Sequence, residues 1–326
     1  MSPPEPVRWG FLGAGWIAAR ALAGAVRAAG GAELFAVAAR DESRARALRP
    51  RRVHRSYAEL LAEPAVEAVY ICLANDAHCP VTVAALEAGK HVLCEKPLGL
   101  TAAEVDRMSA ASTAAGRLLV EASWYRWHPR IRLAQRLLAD GVLGEVRRVS
   151  AGFGFAGVPD GNYRLDPARG GGALYDVGCY AVSAALWAFG WAPVRDVVAR
   201  ARFGPTGVDL ATEAVLTFDA GVAEVRAGLD EAAGQWIRIE GDSGRIELRD
   251  APFTSWRHDV TELSVSSEAG TERIGVPAVD AYRLMVEDVS AAIRGGPAPL
   301  VTLAESRAVA AVLDRCRESV TGGTRV

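Results

Sequence analysis

Three side chains in this sequence have the types and spacing needed for proton transfer: Lys96, Asp176 and Tyr180. Arginine carries almost all of the positive charge, and only one other lysine occurs in the chain. A lysine here is therefore informative, because its pKa can move and it can pass on a proton, whereas arginine is a fixed cation. The apolar run at 92–94 predicts a short buried strand, and open α/β sheets bind ligands at such strand ends. Alternatively, Glu95 and Lys96 form a solvated pair at the strand end.

Asp176 and Tyr180 lie four residues apart in a predicted helix and therefore share one face. An aspartate in this apolar setting is costly to bury without a partner, and lysine is the obvious kind of partner. A lysine cation beside a phenol favours the phenolate, so Tyr180 would exchange a proton with a substrate oxygen while hydride moves to or from nicotinamide. The alternative is that Tyr180 is a core aromatic residue and Asp176 caps a turn.

A glycine-rich turn near the start of the chain predicts dinucleotide binding. The sequence Gly-Ala-Gly-Trp-Ile-Ala at 13–18 follows a strand-like run and opens an alanine-rich helix. In this pattern Gly13 permits a tight turn, Gly15 lets the backbone approach a pyrophosphate, and Ala18 allows close helix packing. The helix start at Trp16 and Ile17 would offer backbone N–H groups to the phosphates.

Cofactor preference depends on the residues after the second predicted strand, which ends in Arg40-Asp41. An arginine at this strand end accommodates the 2′-phosphate of NADP(H), whereas a carboxylate binds the ribose hydroxyls of NAD(H). Arg40 therefore favours NADP(H). NAD(H) stays possible, because Asp41 would either reach the ribose or cap the following helix.

Other cofactor candidates follow the later predicted strands. They share a position at or just beyond a strand end and comprise Leu73, Asn75, His78, Glu95 and Lys96. Asn75 and His78 would lie over the cofactor in a doubly wound sheet. The alternative for both is a loop-capping role.

The order of predicted elements indicates an α/β protein with two domains. Residues 1–123 contain alternating strands and helices, which predicts a Rossmann domain with a doubly wound parallel sheet. Residues 124–326 predict an α+β domain whose strands mostly pair as antiparallel hairpins in an open sheet. Its predicted strands are 145–156, 194–203, 211–219, 222–230, 235–240, 244–249 and 260–266, with helices at 279–294 and 302–319.

Composition argues against several classes of protein. The 326-residue chain is half apolar with a formal net charge of −2, which favours neither nucleic acid nor an anionic membrane as partner. No apolar run is long enough to span a bilayer. The five cysteines and five histidines are scattered without metal-ligand spacing. We therefore expect a cytoplasmic protein with reduced cysteines and no metal.

Four segments together resemble the glucose–fructose oxidoreductase / inositol dehydrogenase (Gfo/Idh/MocA) family: 13–18, Glu95-Lys96-Pro97, 141–145 and 170–180. The resemblance implies a Rossmann domain followed by a large, mostly antiparallel sheet whose open face often forms a dimer contact. It also implies a catalytic lysine and a Lys96–Pro97 peptide that is often cis. Tyr180 stands where many members have histidine, as in the branch resembling dimeric dihydrodiol dehydrogenases, pyranose dehydrogenases and nucleotide-deoxysugar 3-ketoreductases.

The function implied is NADP-preferring hydride transfer at a secondary alcohol or ketone of a sugar or cyclic polyol, by a homodimer or homotetramer. Tyr180 would be the acid–base, with Lys96 tuning it and Asp176 orienting Lys96 or substrate. One alternative is a nucleotide-deoxysugar 3-ketoreductase, and another, of a different class, is a non-catalytic dinucleotide-binding regulator. Aromatic faces and guanidinium groups suit sugars and phosphates. Candidates for the substrate side are Trp124, Arg126, Asn162, Tyr163 and Arg164.

Overall fold

The computed structural model describes residues 5–322, which fall into two units. The first unit contains the described residues up to Gly99, together with Ala103–Trp124 and Asp280–Ser306. The second contains Leu100–Ala102, Tyr125–Val279 and the described residues from Arg307 onward. The sequence predicts a single boundary after residue 123, whereas these contacts return Asp280–Ser306 to the first unit.

The first unit is built on a parallel sheet of six strands in the order β3-β2-β1-β4-β5-β6. The strands are β1 Val7–Leu12, β2 Ala32–Ala38, β3 Arg52–His54, β4 Ala68–Ile71, β5 His91–Cys94 and β6 Leu119–Glu121. This order places the reversal of chain direction across the sheet between β1 and β4. Ligands of doubly wound sheets bind at that point, beyond the carboxyl ends of the strands.

Helices connect these strands, as parallel pairing requires. They are α1 Ala23–Ala28, α2 Glu42–Ala47, α3 Tyr57–Ala62, α4 His78–Glu87 and α5 Ala102–Ala115. A five-residue π-helical turn, Ala18–Leu22, runs directly into α1. At the start of α3 the Ser56 side chain accepts from the Glu59 N–H, and the Glu59 carboxylate accepts from the Arg55 N–H.

The second unit contains an eight-stranded sheet in the order β14-β13-β12-β11-β7-β10-β9-β8. Its strands are β7 Val146–Gly154, β8 Asp196–Phe203, β9 Asp209–Thr217, β10 Val222–Gly228, β11 Gly234–Gly241, β12 Gly244–Leu248, β13 Thr261–Ser267 and β14 Gly270–Val276. Neighbours pair antiparallel except β7 with β10, which is parallel. The parallel pair departs from the predicted hairpins because a helix and two strands separate β7 from β10 along the chain.

Two helices complete the second unit around this sheet. Helix α6, Pro129–Ala139, precedes β7, and α7, Cys179–Ala188, follows a π-helical turn at Leu174–Gly178. Every residue of α7 is buried, as expected for a helix that is apolar on all sides. The helix packs on β7, β10 and β11, so one face of the sheet and α7 together form the core of this unit.

The last two helices are α8, Ala281–Ile293, and α9, Leu303–Gly322. Helix α8 joins the first unit through polar and aromatic contacts. The Trp9 indole N–H donates to the Ser290 hydroxyl (3.2 Å), and Tyr282 stacks on Trp124 with ring centroids 4.2 Å apart. Among the helices of residues 5–322, none is both long and apolar enough to cross a membrane.

Candidate active site

The glycine-rich turn adopts the backbone that the sequence predicts for a phosphate-binding loop. Gly13 has φ +103°, and a Cβ atom there would lie 2.3 Å from the Cys72 carbonyl oxygen. Glycine is therefore required at this position. A Cβ on Gly15 would lie 3.3 Å from the Cys72 sulfur, and Ala18 is fully buried. The backbone of the turn can therefore be approached closely by a pyrophosphate. Trp16 and Ile17 connect the turn to the helix.

After β2, Asp41 is the N-cap of α2. Its carboxylate accepts from the Ser43 N–H (2.9 Å), the Ser43 hydroxyl (2.6 Å) and the Arg44 N–H (3.2 Å). These hydrogen bonds, led by the Ser43 hydroxyl, lower the pKa of Asp41. Arg40 is exposed beside this cap. Of the two alternatives for Asp41, the structure shows helix capping.

Three predicted cofactor residues follow β4. Leu73 is partly exposed, whereas Asn75 and His78 are buried. The His78 ring lies between two backbone carbonyls, with Nδ1 2.8 Å from the Pro97 oxygen and Nε2 3.3 Å from the Leu73 oxygen. Its side chain is fully inaccessible, so the geometry favours a loop-fixing role for His78 over contact with a cofactor.

Lys96 follows β5, at the same edge of the first unit's sheet as the glycine turn, which follows β1. The Lys96–Pro97 peptide is cis. Glu95 is buried, and its carboxylate accepts from the Tyr70 hydroxyl (2.5 Å) and from the Lys96 backbone N–H (3.3 Å). Burial raises the pKa of Glu95, while the Tyr70 hydrogen bond and the Lys96 cation oppose that rise. Glu95 is therefore buried and hydrogen-bonded instead of facing solvent.

In the second unit, Asp176 has a partner that the sequence did not indicate. The Arg164 Nε donates to the Asp176 carboxylate at 2.7 Å, and the side chain of Asp176 is only 5% exposed. The sequence predicts a lysine as the partner of Asp176, and the structure shows an arginine of the same unit as one partner. The pairing raises the pKa of Arg164 against the effect of its burial.

A short loop before the glycine run positions Arg164. Asn162 begins its 3₁₀ turn by accepting from the Arg164 N–H (3.0 Å), and the Arg164 guanidinium lies over the Tyr163 ring, 4.9 Å from its centroid. The Gly172 N–H donates to the Arg164 carbonyl (2.8 Å). A Cβ on Gly171 would be 2.6 Å from the same oxygen, so the loop packs directly on glycine backbone.

Tyr180 is one turn beyond Asp176 and lies in an aromatic cluster. Its ring centroid is 5.5 Å from that of Tyr125 and 5.6 Å from those of Phe153 and Phe253. Tyr180 is 7% exposed, so the cluster fixes the ring. Arg164 is close enough to Tyr180 for the two to interact electrostatically. The second unit therefore brings Asp176, Tyr180, Tyr163 and Arg164 together.

The other two substrate candidates, Trp124 and Arg126, each contact an aromatic ring. Trp124 belongs to the first unit and is 5% exposed in its stack with Tyr282. Arg126 belongs to the second unit, with its guanidinium 5.3 Å from the centroid of Trp191.

Sequence reasoning missed the residues that support these groups. Tyr70 and Glu121 are buried near Glu95, and Asp209 caps the π turn before α7 by accepting from the Leu174 N–H (2.8 Å). The available signal was a lone polar residue in an otherwise apolar strand, as at Tyr70 and Glu121. Within residues 5–322, no group of three or more histidine, cysteine or acidic side chains is arranged to hold a metal ion.

A six-stranded parallel sheet with a glycine cradle, next in the chain to a mostly antiparallel sheet, defines a two-domain dinucleotide-dependent oxidoreductase. The chain matches the "Oxidoreductase family, NAD-binding Rossmann fold" over residues 7–123 and the "GFO/IDH/MocA C-terminal domain" over residues 131–247. The protein belongs to the Gfo/Idh/MocA family. The predicted fold class, family and oxidoreductase activity are confirmed.

Individual relatives have related names. The chain is 36% identical to D-xylose 1-dehydrogenase (NADP(+)) 2 of Haloferax volcanii, covering 98% of both chains. It is 31% identical to the trans-1,2-dihydrobenzene-1,2-diol dehydrogenase of Sus scrofa, covering 96% of this chain and 97% of that protein. A 3-ketoreductase from Actinomadura kijaniata, in complex with NADP and TDP-benzene, superposes with TM-score 0.90 at 30% identity, covering 97% and 98% of the two chains. Lysine-to-alanine and tyrosine-to-phenylalanine variants of that enzyme are also known structures.

Proposed function

We propose that this protein is an NADP-preferring oxidoreductase that interconverts a secondary alcohol and a ketone on a sugar or cyclic polyol. The observation that carries the proposal is the Arg164–Asp176 ion pair, whose arginine also interacts electrostatically with Tyr180. It provides a fixed donor and acceptor pair beside a phenol, which suits a polyhydroxylated substrate. The relatives named for xylose and dihydrodiol oxidation support the same substrate class.

A bound nicotinamide cofactor would supply the hydride acceptor or donor for the carbinol carbon. In alcohol oxidation the substrate hydroxyl proton passes to the Tyr180 oxygen, and in reduction Tyr180 returns that proton. Lys96 provides the cation that favours the phenolate, and Asp176 orients the substrate. The two residues replaced in the ketoreductase variants are separated by the same number of positions as Lys96 and Tyr180, which supports these roles.

The first test of this mechanism is the variant Lys96→Met. We expect its turnover with pyranoses such as D-xylose, or with trans-dihydrodiols, to fall by at least about 10³-fold, because the cation that assists proton transfer is lost. Its affinity for NADPH, measured by calorimetric titration, should stay within a few-fold of wild type. Full turnover in Lys96→Met would contradict the mechanism, and a protein that binds dinucleotide without turnover on any substrate would favour the regulator.

Cofactor preference has its own test. Asp41 is occupied as a helix cap, so we expect Arg40 to face the 2′-phosphate and NADPH to bind more tightly than NADH. Arg40→Ala should weaken NADPH binding by about tenfold or more and leave NADH binding nearly unchanged. Arg46→Ala, an exposed arginine further along α2, is the control. An equal loss of affinity for NADPH and NADH in Arg40→Ala would show that Arg40 does not bind the 2′-phosphate.

A nucleotide-deoxysugar 3-ketoreductase is the second candidate, favoured by the ketoreductase structure with NADP and TDP-benzene. A screen of keto-sugars with and without a nucleoside diphosphate separates the two. Efficient reduction only of nucleotide-linked substrates would select the second candidate.

A further proposal is a homodimer or homotetramer through the face of the second sheet opposite α7, which light scattering would test.

A further inference from the structure

Buried polar groups that the proposed mechanism does not use hold the backbone around Lys96. Tyr70 on β4 is fully buried, and its hydroxyl donates to Glu95 Oε1. The other carboxylate oxygen, Glu95 Oε2, accepts from the backbone N–H of Lys96 at 3.3 Å. Because a fully buried phenol needs a hydrogen-bond partner, the Tyr70–Glu95 contact fixes both side chains.

A second buried carboxylate lies on the other side of the same segment. Glu121 ends β6, is 4% exposed, and pairs in the sheet with Cys94, the residue before Glu95. Its Oε1 accepts from the backbone N–H of Leu98 at 3.2 Å. The segment from Glu95 to Leu98 is therefore held by a carboxylate at each end. Two acidic groups this well buried are unusual without a counter-charge, and Lys96 lies between them in the sequence.

We propose that Tyr70 and Glu121 are positioning residues for Lys96, acting through the Glu95–Leu98 segment to fix its backbone and to hold its amine in the protonated form. Glu121 acts by its charge and by its bond to the Leu98 N–H. Tyr70 acts by stabilising ionised Glu95, since a phenol that donates to a carboxylate favours the charged acid. The proposal rests on the proposed catalytic role of Lys96.

Burial disfavours the charged form of several other titratable groups around this segment. Burial raises the pKa of the Cys72 thiol to about 12, and it also raises the pKa values of Cys94 and Tyr70. Burial lowers the pKa of His78, whose ring also faces Lys96. The phenol of Tyr282, on α8, faces Tyr70. The acidic groups of the first unit near this segment are Glu95 and Glu121, together with Asp76, whose charge acts on His78 in opposition to that of Lys96.

The scarcity of lysine allows a direct measurement of the Lys96 amine. Competitive labelling with trace acetic anhydride over pH 6–11, followed by fragment-ion mass spectrometry, reports how reactive each amine is in the full-length protein. The chain has only Lys90 and Lys96. Lys90 is buried, with its Nζ donating to the carbonyls of Glu63 and Val66 at 2.8 Å each, and serves as the internal reference for an intact fold. The readout requires neither substrate nor turnover.

We expect Tyr70→Phe and Glu121→Gln each to increase Lys96 labelling at pH 8 by about threefold or more, because weaker negative charge lowers the lysine pKa. The catalytic constant should fall while NADPH affinity is retained. The matched controls are Tyr57→Phe, a half-buried tyrosine of α3, and Glu67→Gln, at the opposite end of β4. In both control variants, Lys96 should be labelled to the same extent as in the wild-type protein.

Unchanged Lys96 labelling in both variants, with Lys90 still protected, would overturn the proposal. If Lys90 becomes reactive in Tyr70→Phe, that variant has lost its fold and Glu121→Gln alone decides the result. The outcome is also separable from the proposed function. Wild-type turnover in Lys96→Met would remove the catalytic role of Lys96, whereas altered Lys96 labelling in Tyr70→Phe and Glu121→Gln would still show that Tyr70 and Glu121 set the state of its amine.

Discussion

Arg164 is held at three points in the second unit. Its backbone carbonyl accepts from Gly172, its Nε donates to Asp176, and its guanidinium covers the Tyr163 ring. A long side chain held in this way loses little further entropy when substrate binds, so its charge acts at a defined place. Since Arg164 also interacts electrostatically with Tyr180, it favours the phenolate from within the same unit.

The first prediction concerns this arginine. In Arg164→Gln the cation near Tyr180 is lost, so proton removal by the phenolate should require higher pH. We expect the acidic limb of the pH profile of kcat/KM for alcohol oxidation to move upward by about one unit. We also expect KM to rise, because Asp176 loses the partner that orients it.

Arg136→Gln, an exposed arginine on α6 of the same unit, is the matched control and should leave the profile unchanged. Arg164→Lys gives a second comparison, because it retains the charge but lacks the planar fork that binds a carboxylate. Arg164→Lys should keep the acidic limb of the kcat/KM profile at its wild-type pH and lose affinity for substrate. A limb that stays in place in Arg164→Gln would exclude an electrostatic role of Arg164 toward Tyr180.

At the scale of elements, the helix that carries Asp176 and Tyr180 depends on a distant cap. Asp209, at the start of β9, accepts from the Leu174 N–H (2.8 Å) and from the Thr212 hydroxyl (2.6 Å). Burial raises the pKa of Asp209, and these hydrogen bonds oppose the rise. Gly172 lies against the carboxylate. The cap and the glycine together set where the π turn begins, and π turns frequently occur at functional sites.

The second prediction tests this packing with Gly172→Ala. Gly172 has φ +112°, and a Cβ atom there would lie 2.0 Å from Asp209 Oδ1. The clash and the backbone strain together should reduce the free energy of unfolding by about 3 kcal/mol or more. Gly190→Ala is the control, because Gly190 also has positive φ (+61°) but nothing within 4 Å of an added Cβ. It should cost only about 1–2 kcal/mol. If urea unfolding shows equal losses of unfolding free energy in Gly172→Ala and Gly190→Ala, the Asp209 side chain moves aside without cost.

Most elements could be predicted from the sequence, and the exceptions have physical reasons. Strand β14, Gly270–Val276, was missed because it is an exposed edge strand without the apolar alternation that identifies a buried strand. The parallel pairing of β7 with β10 was missed because periodicity identifies strands but not their neighbours. The Arg164 partner of Asp176 was missed because hydrogen bonds between a loop and a helix twelve residues apart leave no periodic signal.

At the scale of the whole chain, the return of α8 to the first unit was equally beyond prediction. An amphipathic helix has an apolar face, but its sequence does not say which surface receives it. The contacts that hold α8 are specific: Trp9 with Ser290, Trp124 with Tyr282, and the Arg294 guanidinium with Glu67 at 2.8 and 3.0 Å. The chain therefore crosses between its two units more often than a simple two-domain order requires.

A buried cation, Arg130, lies beside a histidine that affects the stability of the chain in acid. Arg130 is fully buried and donates to the carbonyls of Arg249, Asp250 and Glu262 and to the Ser255 hydroxyl. His128, the N-cap of α6, accepts from the Arg130 N–H through Nδ1. Burial, together with the Arg130 cation, lowers the pKa of His128 from 6.5 to about 4.

The lowered pKa of His128 determines whether the stability of the chain rises or falls as the pH changes. The folded state keeps His128 neutral while the unfolded chain takes up a proton below pH 6.5, so stability is lost as pH falls from 6.5 toward 4. The loss should reach about 3 kcal/mol near pH 4. His128→Asn retains a capping oxygen but cannot titrate, so urea unfolding at pH 7, 5.5 and 4.5 should show a flatter dependence than wild type. The exposed His258→Asn should follow wild type, and an equally steep loss in His128→Asn would show that another group controls acid unfolding.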